Sequence, residues 1–272
     1  MSLNQTLREL HEAFPYSDSR MPALFVGHGS PMNAIEDNEF SRGWAEVGRE
    51  LPRPNAILCI SAHWETRGTL ITGMEHPPTI HDFGGFPRPL FEAQYPAPGS
   101  PMLAQLTQET VRSTNVCLDD AWGLDHGTWS VLAQMFPDAS IPVVQLSLDR
   151  TQSPAYHYAL GQELRALRNR GILIIGSGNI VHSFRGFVMQ DIAHDWAIEF
   201  DETIKHLIQD KDHQPIIEYQ RLGKAARLSV PTNEHYLPLL YTLSLQEQQE
   251  SVRFFNEKVS MGAMSMRSVW IG

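Results

Sequence analysis

The chain has 272 residues, of which 42% are hydrophobic and 19% charged, and its formal net charge is −10 at pH 7. This composition is typical of a globular protein rather than a disordered chain. The negative charge argues against a nucleic-acid or anionic-membrane surface, because phosphate binding needs clustered cations. Two cysteines without a secretory signal do not form a disulfide framework, and no apolar run approaches the roughly 20 residues of a membrane helix. We therefore expect a cytoplasmic protein that binds neither nucleic acid nor membrane.

The first half of the chain predicts strands separated by one helix and one long loop. Apolar residues at helical spacing indicate a short helix within residues 2–20. Buried strands are predicted over 23–26, 56–61 and 69–72, and a helix over 40–51. The segment 75–100 is rich in proline and glycine, and loops of this length are usually functional or disordered. Its aromatic residues, including Phe83 and Phe86, favour a packed lid or wall over disorder.

The second half alternates helices with strands. Helices are predicted over 102–112, 125–135, 155–168, 192–208 and 236–245, and strands over 141–148, 172–175 and 268–271, the last as a closing edge strand. Such alternation predicts an α/β fold, with a central mostly parallel or mixed sheet and helices on both faces. No composition break or linker divides the chain. We expect a single catalytic domain over 21–272, preceded by an N-terminal extension over 1–20.

Three histidines follow predicted buried strands, each beside small residues. They are His28, His63 and His182, and a fourth, His235, opens a predicted helix. In open α/β sheets, ligands bind outside the carboxyl ends of the strands. Imidazoles gathered there indicate a metal with open coordination positions, although a single histidine at a strand end is more often structural.

Two further residues stand near the same edge. His126 follows Asp125, and the pair suits either a helix N-terminus capped by Asp125 or a role in substrate binding. Asn179, after the glycine-rich end of the strand over 172–175, could donate a hydrogen bond into the same crevice. Patterns typical of zinc proteases, zinc fingers and nucleotide-binding loops are absent from the sequence.

Taken together, six ordered motifs resemble the class III extradiol ring-cleavage dioxygenases, and within them the 4,5-DOPA extradiol dioxygenase family. The resemblance runs from about residue 21 to the C-terminus. The motifs are Gly27-His28-Gly29-Ser30-Pro31-Met32, Ser61-Ala62-His63-Trp64, His81-Asp82-Phe83-Gly84-Gly85-Phe86-Pro87, Trp122-Gly123-Leu124-Asp125-His126-Gly127, Gly178-Asn179-Ile180-Val181-His182 and Glu234-His235-Tyr236-Leu237-Pro238-Leu239.

The resemblance implies one divalent metal per chain, held by His28, His63 and His235. It places His182 as the acid–base group or a fourth ligand, and His126 in the substrate pocket. Other class III enzymes use two histidines and a glutamate, so His235, with Glu234 beside it, is a departure. Fe(II) would support dioxygenase activity, whereas Zn(II) could occupy the same imidazoles without supporting it.

The expected reaction is the insertion of O₂ into a catechol ring such as that of L-DOPA, with 4,5-cleavage to a muconate semialdehyde. The unperturbed pKa of a histidine, roughly 6.5, suits His182 to acid–base work. Phe83 and Phe86 could stack on the ring and exclude water, and Arg88 is a weak candidate for the amino acid end of the substrate. Two alternatives stay open at this point: a zinc-dependent hydrolase, and a non-catalytic binding protein on the same scaffold.

Overall fold

The computed structural model describes residues 12–272. Its ten strands are β1 (Ala23–Gly27), β2 (Ala56–Thr66), β3 (Thr69–Thr72), β4 (Val116–Asp119), β5 (Val143–Asp149), β6 (Ile172–Gly178), β7 (Val252–Phe255), β8 (Val259–Ser260), β9 (Met264–Ser265) and β10 (Ser268–Ile271). Its nine α-helices, within the same residues, are α1 (Glu39–Glu50), α2 (Arg88–Glu92), α3 (Pro101–Thr110), α4 (His126–Met135), α5 (Pro154–Leu164), α6 (Asp195–Gln209), α7 (His213–Ile217), α8 (Lys224–Ser229) and α9 (Leu237–Ser244).

Eight strands form one mixed sheet in the order β4-β3-β5-β2-β6-β1-β10-β7. Its centre, β5-β2-β6-β1, is parallel, while β10 and β7 add antiparallel strands on one side. The central strands are apolar on both faces because helices cover both faces. One core lies against α3, α5, α6 and α9, and the other against α1 and α4. The predicted mixed α/β sheet covered on both faces is confirmed.

The structure departs from the predicted elements in several places. The strand β10 is not at the sheet edge, because it pairs with β1 on one side and β7 on the other. Both β4 and β7 escaped prediction because they are short and partly exposed, so no buried apolar run marks them. The long loop over 75–100 contains the short helix α2. Among the described residues, no helix has the length and hydropathy needed to cross a bilayer.

The described residues before Met21 pack on the rest of the chain. Phe14 is buried in the core, and its carbonyl accepts a hydrogen bond from Arg170 at 2.9 Å. The backbone N–H of Ser17 donates to Asn169 at 2.7 Å. The helix predicted within residues 2–20 falls mostly on residues 1–11, which lie outside the described residues.

The three central strands bring their carboxyl ends to one place. Since β2, β6 and β1 are adjacent and parallel, the segments that follow them meet at one edge of the sheet. His28 directly follows β1, and its backbone N–H donates to Gly178 at the end of β6 at 3.1 Å. His63 lies in the last part of β2, beyond a register shift that begins after Ile60. Topology alone therefore positions two of the predicted site histidines.

Candidate active site

Five histidine rings gather at this edge of the sheet. The ring centroids of His28, His63 and His235 form a nearly equilateral triangle, with separations of 5.0, 5.3 and 5.0 Å. The Nε2 atoms of His28 and His63 face each other at 3.1 Å. The ring of His126 lies 3.9 Å from that of His63, and the ring of His182 stacks on that of His235 at 3.5 Å. The structure thus brings together all five histidines that the sequence singled out.

Each of the three triangle histidines has an oxygen acceptor beside its Nδ1 atom, at 3.0–3.4 Å. The Nδ1 of His28 lies 3.0 Å from the Ser177 hydroxyl, which itself donates to the Gly127 carbonyl, so the hydroxyl oxygen accepts from Nδ1–H. The Nδ1 of His235 lies 3.1 Å from a carboxylate oxygen of Glu234, and the Nδ1 of His63 lies 3.4 Å from Asp82. With its proton held on Nδ1, each ring keeps an Nε2 lone pair free for a metal.

Burial keeps these rings uncharged. Desolvation, followed by repulsion from neighbouring imidazoles, holds the pKa values of His28 and His235 well below 6.5. The same causes lower the pKa of His63 to about 3, against the attraction of Asp82. Neutral imidazoles are the protonation state that metal binding requires. The donor set therefore fits a divalent ion such as Fe(II) or Zn(II), both of which accept imidazole nitrogen.

The potential ligand atoms form two groups, and within each group they lie within 4.8 Å of one another. One consists of His28, His63 and His126, and the other of His182, Glu234 and His235. The two groups adjoin, because the His235 ring lies against His28 and His63 as well as His182. The site therefore offers more nitrogen donors than three metal ligands require, and one or two histidines are left for proton transfer or substrate binding.

Burial also perturbs His182. Desolvation lowers the pKa of His182 to about 4, despite the opposing charge of Glu234. This ring is therefore neutral at pH 7, with a pKa below the unperturbed value of roughly 6.5. Its ring also contacts Phe184 edge-on, at 5.0 Å between centroids, and borders the cleft.

Asp82 holds two histidines at once, a role that sequence reasoning missed. Its Oδ1 accepts hydrogen bonds from both the backbone N–H and the Nδ1 of His126, each at 3.0 Å, while Oδ2 faces His63. Burial alone would raise the pKa of Asp82, but the hydrogen bonds from His126 outweigh it, so its pKa is lowered. The available signal was a carboxylate between His81 and Phe83 in a long loop.

Beneath the site, Asp125 ties helix α4 to β2. It caps the helix by accepting from the backbone N–H of Thr128 at 3.2 Å, which confirms the capping interpretation. It also accepts from Ser61 at 2.6 Å and from Gln145 at 2.7 Å. Ser61 in turn accepts from the backbone N–H of His63 at 3.2 Å. The network joins the segment carrying His126 to the strand carrying His63.

A cleft of about 1240 Å³ opens over the histidines. Phe83 and Phe86 line it, as predicted, and the Phe83 ring meets His126 edge-on at 5.5 Å. Asn179 does not line it: its side chain is buried and its amide N–H donates to Ser265 at 2.8 Å, so the expected donor into the crevice is wrong. Arg88 also lies outside the cleft, exposed and paired with Glu92.

This combination of fold and site defines a class of enzyme. A mixed α/β sheet presents clustered neutral imidazoles at its carboxyl edge, below an aromatic-walled cleft, which is the layout of a non-haem metalloenzyme acting on a small molecule. Residues 21–269 match the family described as the catalytic LigB subunit of aromatic ring-opening dioxygenase. The chain belongs to this family and is an extradiol-type ring-opening dioxygenase.

Comparison with individual proteins agrees with this assignment. The chain is 49% identical to the 4,5-DOPA dioxygenase extradiol of Escherichia coli (strain K12), over 94% of this chain and 96% of that protein. It is 35% identical to the protein of the same name from Beta vulgaris, over 92% and 96% of the two chains. A crystal structure of an uncharacterized protein from Escherichia coli K12 superposes with a TM-score of 0.82 at 45% identity, covering 93% of this chain and all of the other.

Proposed function

We propose that this chain opens the ring of a catechol such as L-DOPA by 4,5-cleavage, with both atoms of O₂ entering a muconate semialdehyde. The observation that carries the proposal is the triangle of His28, His63 and His235, each with Nδ1 held by an acceptor and Nε2 left free. Relatives named 4,5-DOPA dioxygenase extradiol, at 49% and 35% identity, support the choice of catechol.

In this proposal, His28, His63 and His235 hold one Fe(II) ion. His235 is taken as the third ligand because the resemblance to the extradiol dioxygenases implies it, and its ring lies 5.0–5.3 Å from those of His28 and His63. By distance alone, the ligand atoms of His28 and His63 also group with that of His126. When bound, Fe(II) supplies open coordination positions for the catechol oxygens and O₂, together with redox activity that Zn(II) lacks. Zn(II) would occupy the same imidazoles and yield an inactive protein.

His182 takes the proton of a catechol hydroxyl. Its ring is neutral at pH 7 because its pKa is lowered to about 4, so one ring nitrogen is free to accept. The ring borders the cleft and stacks on His235, and this contact supports a role beside the proposed metal rather than as a required ligand. General base catalysis needs this geometry, within reach of the proton to be moved.

His126 orients the substrate in the proposal. Its Nδ1–H donates to Asp82, which leaves Nε2 for a hydrogen bond with a substrate hydroxyl. Phe83 and Phe86 on one part of the cleft wall, and Phe184 on another, offer apolar surface to the aromatic ring and displace water from around it. Exclusion of water strengthens the polar contacts of the substrate with the histidines.

The test compares metal and oxygen requirements. Metal-free protein is loaded anaerobically with Fe(II) or with Zn(II) and mixed with L-DOPA, before and after admission of ¹⁸O₂. We expect a yellow semialdehyde carrying two labelled oxygens only with Fe(II) and O₂. His235→Ala should abolish both metal binding and product, whereas His206→Ala, at an exposed histidine on α6, should change neither. No turnover of any catechol by the Fe(II) form would refute the proposal, and O₂-independent turnover by the Zn(II) form would indicate a hydrolase.

A further inference from the structure

A cluster of three charged side chains lies on the cleft wall, away from the histidines. Lys258 donates to Glu39 at 2.6 Å and to Asp191 at 2.7 Å. All three residues line the cleft. Glu39 begins helix α1, Asp191 precedes α6, and Lys258 precedes β8, so three separate parts of the chain converge here. We call these residues the charged triad.

Lys258, one member of the charged triad, directly precedes the β8-β9 hairpin, which borders the histidines. The carbonyl of Lys258 accepts from the backbone N–H of Met266 at 2.8 Å. Met266 packs so closely on Gly29, next to His28, that a Cβ there would collide with its sulfur. The neighbouring strand residue Met264 forms a bridge with His182. One backbone hydrogen bond therefore joins Lys258 to the segment 264–266, which contacts Gly29 through the Met266 side chain and His182 through Met264.

Lys258 has unused capacity to bind an anion. An ammonium group has three N–H donors, and Glu39 and Asp191 account for two of them. Its side chain is 34% exposed, so the third can reach the cleft. The described cleft lining has one other Lys or Arg, Arg42, which is 62% exposed and paired with Asp37 outside the lining. Lys258 is the cation best placed to meet a ligand anion.

The two acids give the triad a second function. Glu39 and Asp191 with Lys258 carry a net charge of −1, and each carboxylate keeps lone pairs beyond its bond to Lys258. A ligand group that carried only a carboxylate would therefore meet attraction from Lys258 and repulsion from both acids. A group that carried an ammonium and a carboxylate on one carbon would match both signs.

We propose that the charged triad binds the amino acid end of a catechol substrate, with Lys258 receiving its carboxylate and Glu39 or Asp191 its ammonium. The inference rests on the proposed function, because it assumes a catechol held at the histidines. The charges of the triad predict that a catechol with a zwitterionic side chain binds more tightly than one with a purely anionic side chain.

Equilibrium binding tests this inference without turnover. Zn(II)-loaded protein, kept anaerobic, is titrated calorimetrically with L-DOPA and with dopamine, which has the same ring and ammonium but no carboxylate. We expect Lys258→Met to weaken L-DOPA binding about tenfold, equivalent to roughly 1.4 kcal/mol, and to leave dopamine binding within about twofold. The matched control is Lys205→Met, which removes a cation paired with Glu257 outside the cleft and should change neither ligand.

Replacing the two acids of the triad, Glu39 and Asp191, tests the binding of the ammonium group. The double variant Glu39→Gln with Asp191→Asn should weaken both L-DOPA and dopamine, yet improve binding of 3-(3,4-dihydroxyphenyl)propionate, which lacks the ammonium. The inference is overturned if Lys258→Met leaves L-DOPA binding unchanged, weakens both ligands equally, or if the unmodified protein binds neither. Failure of the proposed function would look different, since the Fe(II) form would then open no catechol while the ratio of the two affinities still responded to Lys258.

Discussion

Replacing Asp82 with Asn should weaken metal binding although Asp82 touches no proposed metal. Two donors of His126 converge on Oδ1, so the amide oxygen of an asparagine would take that position. The amide NH₂ would then face the Nδ1 of His63, where Oδ2 now stands at 3.4 Å. Two N–H groups cannot bond each other, so the His63 proton moves to Nε2, and that nitrogen can no longer bind a metal.

The expected loss follows from the geometry. Removing an acceptor behind a metal-binding histidine typically costs about 10- to 100-fold in affinity. The distance of 3.4 Å is long for a hydrogen bond, and His28 and His235 keep their own partners, Ser177 and Glu234. We therefore expect the lower end, about tenfold, or roughly 1.4 kcal/mol.

Competition with a chromophoric chelator for Zn(II), at fixed pH and ionic strength, measures this loss directly. Asp138→Asn is the matched control, because Asp138 is an exposed carboxylate that pairs with Arg53 and lies outside the cleft lining. The reasoning would be refuted if folded Asp82→Asn protein held Zn(II) as tightly as the unmodified chain. A loss of a thousandfold or more would instead make Asp82 a direct ligand.

Three further outcomes are expected. His182→Ala should keep most of the metal but lower turnover about 100-fold or more. If metal analysis shows that the variant loses metal to the same degree as it loses turnover, His182 is a ligand. Gly178→Ala places a Cβ against the carbonyl of His235, so it should cost about 1–3 kcal/mol of stability and also weaken metal binding, and an unchanged melting temperature would contradict this. Burial lowers the pKa of His157 to about 4. Between pH 6.5 and pH 4 the unfolded chain therefore binds a proton at this histidine and the folded chain does not, so the free energy of unfolding falls as the pH falls through this range. In urea unfolding of metal-free protein, the loss between pH 7 and pH 5 should be about 2 kcal/mol smaller in His157→Gln than in the unmodified chain, and equal losses would contradict the assignment.

The sequence predicted the part of the site that depends on strands and their ends. His28 and His63 each follow an apolar run long enough to be a buried strand, and parallel strands bring their carboxyl ends together. The contribution of Asp82 was not visible, because its contacts with His63 and His126 join a loop to two other elements. Ser177 was hidden for the same reason, since it looks like any small residue at the end of a strand.

Side-chain direction explains the prediction that failed at the site. Asn179 follows β6 at the correct edge, but its amide points to the backbone of Ser265 rather than into the cleft. The position of a residue along the chain does not show in which direction its side chain points. The fold shows the same limit. The strand over 268–271 exists as predicted but not at the sheet edge, because its neighbour β7 could not be inferred from either sequence pattern alone.

The three triangle histidines come from positions 28, 63 and 235, so a bound ion would act as a cross-link between the first quarter of the polypeptide and its last. Only the folded chain offers this site, and free metal at 1,000 times its dissociation constant would add about 4 kcal/mol to the free energy of unfolding. Metal supply would then govern the lifetime of the protein as well as its catalysis, because protease resistance would rise and fall with loading. In a cell short of this metal, proteolysis would then remove the protein, in addition to the loss of activity in the copies without metal.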